Sequence, residues 1–332
     1  MKNLFLLPML FLAFGIKAQQ AEYSTPTENI ISYHENISAA NRMFKHDSLL
    51  QAFGKFDVAI QNYKGGINAN DYFKAALCAI HIKEEFKALD YLEKAITNGY
   101  ELDSAKKEDM SFYNQNTKKE YIDGVKKWHD QAAQTRNTAY ETEIVALFES
   151  TKKYNSSKYT AALDYCIECA QAGKKCNKTT PDYQAKYRLV REKRKADSVV
   201  AVALVNQIQT NGFPSIKAVG KKASDMARQI LLNYDSDRTN KILSSILYRA
   251  LIDGNISPEF YATVIDRRNV LNGGTPEFYQ PSAGYEKIIA TTIAAINKKR
   301  NSIGLYPLVV QKSTGTKPKT PAAPTNTNVY DY

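Results

Sequence analysis

Apolar residues recur along this chain at spacings of three and four, and no stretch alternates convincingly at every second position. The pattern therefore predicts an all-α fold. A first helix is expected from about residue 27, turning Ile30, Ile31, Ile37 and Met43 toward a core. A second, about 47–63, takes Asp47 or Ser48 as its N-cap. It ends at Gly65-Gly66, because glycine takes the left-handed capping conformation without steric cost. Helices over 71–82 and 84–97 form the clearest hairpin, with Asn98-Gly99 as the stop. Another hairpin is expected over 138–154 and 156–172, stopped by Gly173. Pro181 opens a long helix over 182–209, closed by Asn211-Gly212 with Pro214 beyond. Four more follow, at 217–233, 237–253, 258–271 and 285–301, with Ser257-Pro258 as an N-cap and N1 pair and Gly273-Gly274 as a stop.

Within this pattern one phrase is written three times: alanine, three residues, a bulky or soft apolar residue, two residues, then a small one. The copies are Ala52/Phe56/Ala59, Ala88/Leu92/Ala95 and Ala162/Cys166/Cys169. The first two are 36 residues apart. Small residues at fixed places let antiparallel helices approach, and larger ones fill the gap to the next pair. With Tyr72, Ala76 and Ala79 on the preceding helix, residues 71–100 resemble a tetratricopeptide repeat, whose period is ~34 residues. The Phe56 helix resembles a looser copy. The resemblance implies stacked helical hairpins that hold a protein or peptide partner. Residues 101–134, with Phe112, Tyr113, Tyr121, Val125 and Trp128, read as a cap on the open edge of such a stack.

The N-terminus is a separate object. Lys2 precedes an apolar run from Leu4 to Phe14, and Ile16-Lys17-Ala18 suits cleavage after Ala18. Residues 1–18 are thus expected to be a signal peptide and the chain to be exported, to the periplasm or beyond. No other stretch reaches ~18 apolar residues, so no membrane span is expected. The organisation that follows is a hairpin region with its cap at 28–134, a hairpin and connecting helix at 135–195, a helical domain at 196–310, and a tail at 311–332. That tail is rich in Thr, Pro, Lys, Ala and Asn and is expected to be disordered.

The net charge of +11 raises nucleic acid as a partner; export argues against it. The dense run Arg191-Glu192-Lys193-Arg194-Lys195 reads as a solvated helix face, with an anionic glycan or lipid head group left open. The four cysteines are Cys78, Cys166, Cys169 and Cys176. No histidine accompanies Cys166-x2-Cys169, and both residues occupy slots of the repeated phrase, so buried thiols or a structural disulfide fit better than zinc or redox chemistry. In the disulfide case Cys176 folds back past Gly173 to bridge Cys169 or Cys166; Cys78 reads as core. The histidines, His34, His46, His81 and His129, form no ligand-spaced pair, and none follows Gly173. No catalytic set, metal site or cofactor is expected.

Residues 197–308 resemble an uncharacterised helical domain of exported bacterial proteins. The resemblance rests on Gly212-Phe213-Pro214, Val219-Gly220, Ile230-Leu231-Leu232, Ser257-Pro258-x2-Tyr261-Ala262, Asp266-Arg267-Arg268, Phe278-Tyr279 and Arg300-x2-Ile303-Gly304-Leu305. It implies an all-helical fold and no established activity. This chain departs from it in carrying Asn233 before Tyr234-Asp235, where a histidine is usual, and Gln280-Pro281 after Tyr279 in place of Gly-Thr. Asn233, Asp235, Asp266, Arg267, Tyr279 and Arg300 are the candidate polar cluster; a structural salt-bridge network explains the same residues. The expected function is a non-catalytic interaction protein of the cell envelope. The alternative is an enzyme or small-ligand receptor with its site near Asp266, Tyr279 and Arg300.

Overall fold

The structure, a computed structural model, describes residues 28–102, 119–171, 177–234, 241–271, 275–279 and 293–308. The described residues are all-α: twelve helices and no strand. They are α1 (Glu28–Lys45), α2 (Leu49–Asn62), α3 (Ala69–His81), α4 (Glu85–Thr97), α5 (Lys119–Gln134), α6 (Thr138–Thr151), α7 (Ser157–Gln171), α8 (Pro181–Asn211), α9 (Ile216–Leu232), α10 (Lys241–Ile252), α11 (Pro258–Leu271) and α12 (Ile293–Asn301).

Local chemistry sets most of the boundaries. Side chains of Asn68, Asn137, Thr180 and Ser215 accept backbone N–H bonds at the starts of α3, α6, α8 and α9. Gly99 and Gly212 take positive φ just past α4 and α8. Gly65 and Gly66 behave otherwise. Neither has positive φ; α2 ends at Asn62 with Tyr63 as its cap. Their role is close approach, since a Cβ on Gly66 would collide with the Asp253 carbonyl.

Helices α1 and α2 pair, as do α3 and α4; α2 stacks on α3, and α5 covers α4. Both early copies of the repeated phrase are buried in this stack: Ala52, Phe56, Ala59, Ala88, Leu92 and Ala95 are at most 2% exposed. Tyr33 stacks on Tyr63 at 4.5 Å and donates to Asp71 at 2.7 Å, tying α1 to α2 and α3. The expected hairpin of α6 with α7 is not the observed pairing. A short 3-10 turn (Lys152–Asn155) separates them, α7 lies along α8, and α6 packs on α8 and α9. The third copy of the phrase accordingly buries Ala162 and Cys169 but leaves Cys166 half-buried.

One hydrophobic core runs from Ile30 to Leu305; the buried Ala162 and Cys169 of α7 and Tyr183 and Val190 of early α8 lie outside it. Early and late parts of the chain meet directly. Tyr63 donates to the Ile252 carbonyl at 2.6 Å, the Gly66 N–H to the same carbonyl at 3.3 Å, and Asn68 to the Gly254 carbonyl at 3.2 Å. Ile303–Leu305 pack into the core, with Gly304 against His34, and the Arg42 guanidinium lies 4.6 Å from the Tyr306 ring centroid.

Candidate functional site

Five of the six predicted polar residues are described, and they divide between two places. Asp266, on α11, is fully buried and accepts the backbone N–H groups of Glu277 at 2.6 Å and Phe278 at 2.8 Å. Arg300, near the end of α12, donates to the carbonyls of Phe278 and Tyr306, each at 2.6 Å. Burial pulls the Arg300 guanidinium down, while Asp266 and Glu259 hold it up. Tyr279 follows with φ +50. These three therefore form a bracket that fixes the 277–279 segment and the turn after α12. Its charges face backbone groups, which is the chemistry of a structural clamp.

Asn233 and Arg267 belong elsewhere. Asn233 caps α9 and, with Asp197 and Thr151, lines a void of about 10 Å³, room for one water at most. Burial raises the Asp197 carboxyl, and Lys193, at 2.9 Å, and Arg267 counteract it. Asp235 lies outside the described residues.

A second polar cluster, which sequence reasoning did not assemble, underlies the joint between the early and late helices. Burial holds His34 at a pKa of about 3, and its Nε2 has no hydrogen-bond partner among the described residues. Burial lifts Asp71 to about 6, against the pull of Lys74 and the Tyr33 hydroxyl. Neither described cavity opens on this cluster or on the Asp266–Arg300 bracket. The cysteines divide as well: Cys78 and Cys166 are free thiols, Cys169 is disulfide-bonded, and Cys176 lies outside the described residues. Burial raises both free thiols, Cys78 to about 12. Among the described residues no group of three or more His, Cys, Asp or Glu side chains could hold a metal ion.

The surface offers two features. Leu50 and Phe86 are 64% and 92% exposed and occupy the second position of α2 and of α4, 36 residues apart. A groove of about 960 Å³ runs beside the first half of α8, where Arg188, Arg191, Arg194, Lys195 and Tyr187 line it. Sequence reading treats the basic run here as solvated. Arg191 and Lys195 are indeed exposed, but Lys193 and Arg194 are half-buried, and every described residue lining the groove lies on α8 itself.

In comparison with known proteins, no family model, curated protein or solved structure matches the chain.

Proposed function

We propose that this chain is an exported, non-catalytic interaction protein that holds a protein or peptide partner on its helical hairpins. The observation that carries the reading is the exposed pair Leu50 and Phe86, repeated at the same position of two stacked hairpins. Large apolar side chains recurring on the outside of a rigid array mark an interaction surface, because water penalises them and packing does not require them. The tetratricopeptide-like spacing of residues 71–100 supports the same reading. Export rests on Lys2, the Leu4–Phe14 run and Ala18. The buried charged groups have structural work that fits this reading: Asp266 and Arg300 hold backbone, and Asp71 accepts from Tyr33.

The test places a photo-crosslinking amino acid at Phe86 of the full chain in its own cells. A discrete protein adduct that disappears when Leu50→Glu is added supports the reading. Absence of any adduct, together with thermal stabilisation of the purified chain by a small metabolite, would replace it with a ligand receptor.

A further inference from the structure

We propose that the outward face of α8 docks an acidic, amphipathic helical segment of another protein. Residues 188, 191, 195, 199 and 202 fall within one arc of about 80° on an α-helix. All five are exposed in the structure, Val199 by 63% and Val202 by 46%. Two other lysines of this helix are neutralised by their own helix: Lys186 by Asp182 at 3.0 Å and Lys193 by Asp197 at 2.9 Å. The same i,i+4 pairing balances Lys94, Lys221 and Arg249 elsewhere. Arg188, Arg191 and Lys195 have no acidic partner among the described residues, and Arg191 and Lys195, four apart, repel each other.

The three cations line the groove together with Arg194, with Glu192, whose carboxylate accepts from the Tyr159 hydroxyl at 3.2 Å, and with Tyr187, which stacks on Tyr183 at 5.8 Å. Two exposed valines continue the stripe toward the C-terminus. The complement of such a stripe is a helix bearing carboxylates opposite the cations and apolar residues opposite the valines. From 188 to 202 the stripe is about 21 Å long, which a partner helix of about 14 residues spans. A nucleic acid would gain nothing from the valines. This site is on a different element from Leu50 and Phe86, so either proposal can fail alone.

The probe is a labelled 16-residue helical peptide with glutamates at positions facing 188, 191 and 195 and leucines facing 199 and 202. Its binding to the full chain is read by fluorescence anisotropy. The triple change R188E/R191E/K195E and the pair V199D/V202D are each expected to weaken binding by about tenfold or more, with binding also weakening as salt rises. A control of equal charge at exposed sites, K126E/K127E/K298E, is expected to change it by less than about twofold. A peptide with glutamine in place of glutamate is expected not to bind. The proposal is overturned if the control weakens binding as much as the groove variant, or if the wild-type chain does not bind the acidic peptide. It is also overturned if phosphatidylglycerol vesicles, and not the peptide, bind in a way that needs Arg188, Arg191 and Lys195. Circular dichroism of each variant confirms that α8 is intact.

Discussion

Gly54 and Gly212 carry the same side chain and opposite consequences. Gly54 sits inside α2 with open space where a Cβ would go, so Gly54→Ala is expected to stabilise by about 0.5–1 kcal/mol through restriction of the unfolded chain. Gly212 also has open space, but its φ of 81 and ψ of 175 belong to glycine alone. Gly212→Ala should therefore cost about 1–3 kcal/mol with no clash involved. Urea midpoints of the two variants check both signs. Ser224 gives a third case, fully buried with an Oγ that finds no partner among the described residues. Ser224→Ala is expected to raise stability by about 1 kcal/mol, since it removes an unsatisfied polar atom and adds no cavity of note; a lower thermal midpoint would count against it. At this scale the sequence is informative where a residue acts on its own backbone, as the caps Asn68, Asn137, Thr180 and Ser215 do. It singles out Asp266 and Arg300 but not what they hold, because their partners are amide and carbonyl groups that every residue carries alike.

Between elements, His34 on α1 and Asp71 on α3 set two titrations of opposite sense against each other in the pH dependence of stability. His34 has a folded value near 3 against an ordinary 6.5, so the unfolded chain takes the proton first. Its contribution is present above about 6.5 and is lost as the pH falls toward 3. Asp71 has a folded value near 6 against an ordinary 3.8, so the folded chain keeps the proton longer, and stability falls as the pH rises from about 4 to 6. Across pH 4–6 the two slopes oppose each other. Asp71→Asn is expected to expose the histidine slope, a loss of roughly 1 kcal/mol per pH unit on acidification from pH 6 to 4. His34→Leu should reverse the sign over the same range. Urea unfolding at several pH values reads this directly, and parallel profiles for wild type and both variants would refute the coupling. Helix spans were readable from periodicity and breakers, which are local. The pairing of α7 with α8 was not, because the 3-10 turn after α6 redirects the chain and the apolar phrase on α7 fits either neighbour.

For the whole molecule, the joint at Gly66 decides how the parts unfold. The contacts of Tyr63, Gly66 and Asn68 with residues 252–254 and the continuous core join regions that the sequence reads as separate units. Composition shifts locate such units, but a backbone-on-backbone contact leaves no apolar signature, and Gly65-Gly66 looks from the sequence like an ordinary helix stop. A single thermal transition is expected by calorimetry. Gly66→Ala, which forces a Cβ into the Asp253 carbonyl, should lower that transition as a unit. Two separated transitions in the wild type would show that the joint is weak.

The seat of His34 against Gly304 also sets an order in time. Helix α1 leaves the ribosome well before the Ile303–Tyr306 segment that closes over it, since His34 and Ile303 are 269 residues apart in the chain (303 − 34). At synthesis rates of ~5–20 residues per second, the interval is on the order of tens of seconds. For that time the first helix cannot complete its packing, whatever its own propensity. The nascent chain therefore stays open to chaperones until its last helix has been made.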